Sequence, residues 1–228
     1  MTAQIEDCYK HRRKRYSLVA ISDEMTFDPR AYGVIPKGRC TACWRGYWCE
    51  YNVTAKGLFL QNLYINSEDE KYPPINGVNV SEIEYRDCIS LSFKDGKVVQ
   101  TPTKIEKHMG HREYKNLNIP VKYTGKVLLG NGFLREYYIH MGFQRSWAYT
   151  ELIEFEFKDG KLINKTDHSD TAAKLREILD SSDVDPAHPD GGNIPQFVED
   201  SFSLDYSVKA WWMDKETRLL DLTKKLGI

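Results

Sequence analysis

The sequence predicts an α+β protein: a β-rich core of tandem antiparallel meanders, barrel-like or in packed sheets, with C-terminal helices. Three observations predict it. Aromatic residues are 12% of the 228 residues, with 14 Tyr and 5 Trp, and flat rings pack well on a pleated, half-buried surface. They stand in runs that alternate from face to face, the period of a strand. The helical spacings come last, and strands first with helices after is the α+β order.

Tyr16 to Ile21 reads as a first strand. Asp28-Pro29 followed by Gly33 reads as a one-turn helix with a cap, a Pro at its first position and a Gly stop. From Thr41 to Val53 one face carries Thr41, Cys43, Arg45, Tyr47, Cys49, Tyr51 and Val53, and the other Ala42, Trp44, Gly46, Trp48 and Glu50. Both faces are largely apolar, as in a strand covered on two sides. Phe133 to Phe143 alternates too, with Phe133, Arg135, Tyr137, Ile139 and Met141 against Leu134, Glu136, Tyr138 and His140. Ala148 to Phe157 reads as a strand with one wet face, where Thr150, Glu154 and Glu156 accompany Leu152.

A weak repeat runs through this region. Phe93-Lys94-Asp95-Gly96-Lys97 returns as Phe157-Lys158-Asp159-Gly160-Lys161. Each copy sits between alternating apolar runs, and Asp-Gly there marks a hairpin because the turn needs positive φ. Upstream, Val53-Thr54-Ala55-Lys56-Gly57-Leu58 resembles Tyr123-Thr124-Gly125-Lys126-Val127-Leu128. The first copy opens a strand pair ending at Ile65, the second one ending at Ile139. Three helices follow: one capped by Ser169 with the stripe Ala172, Leu175, Ile178 and Leu179, one from Pro195, and one near 207–226 burying Val208, Trp212, Leu219, Leu222 and Leu226. The expected organisation is a β-rich core over residues 1–166, with a repeat of about 41–100 and 120–166, and a helical segment over 167–228 packed on it.

Composition narrows the class. A chain of this length buries roughly 70% of its unfolded surface and needs no staples. Hydrophobic residues at 41% and charged residues at 29% fit a globular protein. With 32 Lys+Arg against 33 Asp+Glu, net charge is −1, which gives no general attraction to nucleic acid. No apolar run approaches the roughly 20 residues of a membrane span. Residues 1–15 have no apolar core of a secretory signal. Five cysteines, an odd number, suggest free thiols in a reducing cytoplasm.

Cys40-x-x-Cys43 with Cys49 has the look of a zinc site, but a structural zinc needs four ligands and the second pair is missing. On one strand Cys43 and Cys49 would lie about 20 Å apart. No metal and no cofactor are expected. His108-x-x-His111 has a helical spacing interrupted by Gly110. Asp183-x-Asp185-x-x-His188-x-Asp190-Gly191-Gly192-Asn193 is rich in oxygen ligands but lacks the EF-hand spacing. Lys10, Arg12, Arg13, Lys14 and Arg15 form a basic run, while no Lys or Arg lies between Ile178 and Val208.

The expected recognition residues are Trp44, Arg45, Tyr47, Trp48, Arg145, Trp147 and Tyr149. In each cluster Arg stands two residues before an aromatic, so on a strand the two share a face and Arg can stack on the ring. The function expected from this is a cytoplasmic, non-catalytic binding protein, monomer or homodimer. It presents an aromatic/Arg surface or pocket to a partner protein or a small anionic or planar ligand. No membrane and no nucleic-acid partner is expected. The alternative is a hydrolase using His140, oriented by Glu136 on the same strand face. A further alternative is a nucleic-acid accessory protein using the basic N-terminal arm.

Overall fold

Tight turns between alternating runs fix most of the strand order. The computed structural model describes residues 3–22, 27–94, 97–138 and 143–181, without the side chains of Phe93, Leu175, Ile178, Leu179 and Ser181. The expected helices beyond Ser181, the acidic loop at 183–193 and His140 lie outside these residues.

The first hairpin joins β1 (Cys8–His11) to β2 (Lys14–Ile21). β1 is short, and the sequence reading missed it. A one-turn helix follows at Pro29–Tyr32, with Asp28 accepting from the Arg30 N–H and Gly33 left-handed at φ 76°. Capping residue, Pro and Gly fall where the sequence placed them.

β3 (Tyr47–Thr54) and β4 (Gly57–Ile65) form the next hairpin. The strand expected from Thr41 therefore starts only at Tyr47. Residues 40–43 turn back on themselves, with the Cys43 N–H donating to the Cys40 carbonyl at 3.1 Å. Gly46 follows at φ 81°, where an added Cβ would run into the backbone of Lys37. From Tyr47 on, the alternation is regular: Tyr47, Cys49, Tyr51 and Val53 enter the main core, and Trp48 faces away.

β5 (Tyr85–Lys94) and β6 (Lys97–Glu106) pair only with each other. A short turn at Lys107–Gly110 leads to β7 (Arg112–Tyr114), and β8 (Ile119–Pro120) follows. β9 (Gly125–Phe133) ends in a 3-10 turn at Arg135–Tyr137. A second such turn, Ser146–Ala148, opens β10 (Tyr149–Lys158), which pairs with β11 (Lys161–Asp167). The strand expected across Phe133–Phe143 is thus broken after Phe133. Alternation of apolar residues over so short a span also fits the 3-10 turn, which buries Tyr137. α1 (Ser169–Ser181) comes last.

Among the described residues the main sheet has nine strands in the order β11-β10-β9-β2-β1-β3-β4-β7, with β8 also on β4. β1 and β3 run parallel and the other pairs antiparallel, so the sheet is mixed rather than a pair of antiparallel meanders. Among the described residues β11 lies at one edge, β7 and β8 lie at the other, and no barrel closes. The sheet coils, as twisted sheets do: the Leu58 N–H at the start of β4 donates to the Gly160 carbonyl in the β10–β11 turn at 2.7 Å.

Both Phe-Lys-Asp-Gly-Lys segments sit at hairpins of matched register, Lys94 opposite Lys97 and Lys158 opposite Lys161. Their surroundings differ. β10–β11 is part of the main sheet with Phe157 buried, while β5–β6 forms a separate ribbon with Ile89, Leu91 and Val98 exposed.

One face of the coiled sheet packs Tyr9, Tyr51, Leu60, Leu129, Phe155 and their neighbours into the main core. Bulges in β2 and β4 keep both ends of each strand aimed correctly. The other face is covered by α1 and the Ser146–Ala148 turn, which pack Ala172, Trp147 and Ala148 over Leu128 and Leu152. Ser169 is the first helical residue, not the cap. Its hydroxyl accepts from the Leu152 N–H at 3.0 Å, and Asp167 accepts from the Ser169 N–H at 2.9 Å. Arg176 fastens the helix by donating to the carbonyls of Trp147 and Tyr149 at 3.0 and 2.9 Å.

Gly46→Ala tests the turn that starts β3. A left-handed alanine costs about 1–2 kcal/mol, and the overlap with Lys37 adds to it. The denaturant midpoint should fall by the equivalent of about 2 kcal/mol or more, with no change in strand content by circular dichroism.

Candidate functional site

The basic run lies at the turn of the first hairpin. His11 pairs with Lys14, so Arg12 and Arg13 alone form a two-residue loop. Both are left-handed, at φ 48° and 71°. Positive φ at both loop positions is the type I′ turn, whose preferred residues are Asn-Gly. Two arginines there are held at about 1–2 kcal/mol each against the right-handed alternative.

A groove of about 320 Å³ runs beside this turn, lined by residues 10–15 and by residues 52–54 of β3. Parallel pairing of β1 with β3 creates it by setting Lys10 opposite Asn52 and His11 opposite Val53. The cations differ in their partners. Arg15 and Lys10 reach the buried carboxylate of Glu50 at 2.8 and 3.7 Å, and Lys14 reaches Glu151 at 2.9 Å. Asn62 also donates to Glu50, at 2.7 Å. Arg12 and Arg13 are exposed, and neither has an acidic partner among the described residues. Five cations thus face two carboxylates.

A second depression, of about 370 Å³, is lined by residues 38–41 and Trp44. The Cys40–Cys43 turn forms its floor, fixed by Trp44 Nε1 donating to the Thr41 carbonyl at 2.6 Å and by the Ile5 N–H donating to the Ala42 carbonyl at 2.7 Å. Cys40 Sγ touches Met109 Sδ at 3.4 Å. Met109 belongs to a run of left-handed residues, His108, Met109 and Gly110 at φ 51°, 55° and 77°, so His108 and His111 are on a loop and not on a helix face. The Trp48 ring stacks on Tyr64 at 4.8 Å and 8°, with the edge of His111 at 4.6 Å from it. Burial pulls His111 below the ordinary imidazole pKa, although its Nδ1 lies 2.8 Å from the His108 carbonyl. Because Cys43 sits in a turn, the strand distance that would separate it from Cys49 does not apply.

The seven expected recognition residues do not share one surface. Arg45 is enclosed. It makes a bidentate pair with Asp7, whose side chain is 0% exposed, donates from Nε to the Tyr47 carbonyl at 2.6 Å, and lies 4.8 Å over the Tyr47 ring. Burial opposes its charge most strongly of any single cause, but Asp7 together with Tyr47 and Cys49 outweighs it and the guanidinium pKa is raised. Tyr47, Trp48 and the pair Trp147–Tyr149 are buried in three separate clusters. Trp44 is half-buried and Arg145 exposed. Glu136 is exposed in the 3-10 turn rather than on a strand, and His140 lies outside the described residues.

Sequence reasoning missed two things. Asp7, the partner of Arg45, stands just before the unexpected strand β1. The Arg12-Arg13 turn was legible only as a spacing, two residues between alternating runs, because its residue types are the wrong ones for a type I′ loop. No protein family, curated protein or solved structure compared with the chain matches it.

Breaking the Arg45–Asp7 pair strands a buried carboxylate. Arg45→Met should lower stability by about 3–5 kcal/mol, read by urea unfolding, and adding Asp7→Asn should restore part of it. His111 gives a pH signature. Its folded pKa is lowered, so the unfolded chain binds the extra proton first as pH falls below about 6.5. Melting temperature should be flat above that value and fall as the pH drops below it. His111→Gln should flatten that part of the curve, while the carboxylates, Glu84 being held down to about 2 by Lys107 and Lys115, act only at lower pH.

Proposed function

We propose that the protein is a non-catalytic binding protein that takes an acidic segment of a partner protein in the groove beside the β1–β2 turn. Arg12 and Arg13 are its contact residues. One observation carries the reading: two exposed arginines without acidic partners among the described residues, held in a left-handed turn that glycine and asparagine would form at lower cost. Strained residues of this kind cluster where a protein meets a ligand. The guanidinium fork matches carboxylate oxygens in pairs. Chemistry of this kind holds an anion rather than transforming it. A protein partner is favoured over nucleic acid because no Phe, Tyr or Trp lines the groove as a platform for stacked bases, and the net charge of −1 adds no long-range pull.

The test replaces Arg12-Arg13 with Asn-Gly and uses a hexaglutamate peptide as the probe. The variant should melt higher, because the turn strain is relieved by about 1–2 kcal/mol or more. Its affinity for the peptide should fall about fivefold, the worth of two exposed charge pairs at about 0.5 kcal/mol each. Unchanged binding in the stabilised variant would remove the reading. A single-stranded oligonucleotide that binds more tightly than the peptide, with a steep salt dependence, would replace it with the nucleic-acid alternative.

A further inference from the structure

We propose that Cys40 and Cys43 are a redox pair, oxidised to an intramolecular disulfide by a small disulfide such as oxidised glutathione. The two residues are the ends of one tight turn. The Cys43 N–H donates to the Cys40 carbonyl at 3.1 Å, and the residues face each other as antiparallel bridge partners. Bridge partners have Cα atoms about 4.5–5.5 Å apart, inside the window of about 4.4–6.8 Å that a disulfide needs. Both thiols pack into the same small cluster, with Trp48, Tyr64 and Ile5. The backbone is therefore already placed for the bond, and only side-chain rotation remains.

The two thiols are not equivalent. Cys40 is half-exposed on the floor of the Trp44 depression, beside Arg39, with its sulfur on Met109. Cys43 is 1% exposed and close to the Tyr47 carbonyl, at 3.6 Å from sulfur to oxygen. Burial lifts the Cys43 thiol to about 12, and Cys40 is among the neighbours that raise it. This ordering assigns the attack to Cys40. Its thiolate attacks one sulfur of oxidised glutathione; the Cys40–glutathione bond forms and the glutathione S–S bond breaks, releasing one glutathione thiolate. Cys43 then loses its proton and attacks the Cys40 sulfur, the Cys40–Cys43 bond forms, and the second glutathione leaves. The protein dithiol gives up two electrons and two protons, and one glutathione disulfide becomes two glutathione thiols. The other cysteines have different settings: Cys8 accepts from Arg15 Nε at 3.2 Å, Cys49 is fully buried in the main core, and Cys88 is exposed on β5.

The sequence supplies a direct readout. Trypsin cuts after Arg39 and Arg45, so both thiols fall in one peptide, Cys40 to Arg45, with no other cysteine in it. The full chain is treated with oxidised glutathione, free thiols are alkylated, and the digest is weighed without reduction. The expected main form of this peptide has lost two hydrogen atoms and carries no glutathione and no alkyl group. Cys88 in the same sample shows whether the reagent is active. In Cys43→Ala, glutathione should stay on Cys40, because the second attack is gone. Glutathione retained on Cys40 in the unmodified chain would overturn the pair. So would a fully alkylated peptide in a sample where Cys88 has taken up glutathione. These two outcomes need only the unmodified chain, so the test stands even if Cys43→Ala does not fold.

Discussion

The pair between Asp7 and Arg45 sits at the seam on which the main sheet depends. β1 and β3 meet there in parallel, and their contact joins two antiparallel halves, β11-β10-β9-β2-β1 on one side and β3-β4, with β7 and β8 both on β4, on the other. Parallel strands cannot be linked by a tight turn, so the chain must leave β2, cross through the Pro29–Tyr32 turn and return. Asp7 holds the returning chain. It pairs with Arg45 and accepts from the Cys49 N–H at 2.7 Å, and its own carbonyl accepts from the Leu18 N–H at 2.8 Å. Tyr47 extends the clamp by donating from its hydroxyl to the Phe27 carbonyl at 3.2 Å. A buried ion pair adds little net stability over an apolar one, but losing one partner is severe. Its contribution here is register: two fork nitrogens and one backbone N–H fit Asp7 in only one alignment of β1 on β3.

Register at this seam shapes the basic groove. Setting His11 opposite Val53 carries the β1–β2 turn alongside the end of β3. The turn itself is locally unfavourable, and the hairpin pairing on either side holds it. Stability and contact chemistry are thus opposed at Arg12 and Arg13. The neighbouring cations are not in that position. Lys10, Lys14 and Arg15 reach Glu50 and Glu151 and belong to the sheet surface. A charge run in sequence divides, in three dimensions, into residues that neutralise the fold's own carboxylates and residues that do not.

The second depression shows a related division. Trp44 and Arg45 are adjacent in sequence, yet the two side chains serve different elements. Trp44 closes the Cys40–Cys43 turn, while Arg45 enters the seam. The left-handed run His108–Gly110 brings Met109 onto Cys40 from far along the chain. The aromatic residues around it, Trp48, Tyr64 and His111, form a stacked wall whose polar edges are largely buried. Aromatic richness at these positions is mainly a packing property.

What the sequence determined by itself is local. Alternation located β2, β3 from Tyr47 onward and β10; Asp28-Pro29 with Gly33 located the one-turn helix; Asp159-Gly160 located the β10–β11 turn; and the helical spacing after residue 168 located α1. Each signal is written within a few residues, because backbone preference and side-chain period act over that range. The tertiary structure decided the partners. It placed β5–β6 outside the main sheet although its turn sequence repeats that of β10–β11, since the hairpin signal does not specify a neighbour for either edge. It turned Arg45 inward, since a guanidinium is stacked and exposed or paired and buried according to whether a carboxylate stands opposite, and Asp7 lies 38 residues away. It brought Lys10, Lys14 and Arg15 to Glu50 and Glu151 while setting Arg12 and Arg13 at the turn. That choice rests on which strand lies beside which, and strand adjacency is a long-range balance of burial and hydrogen bonding that no short stretch of chain contains.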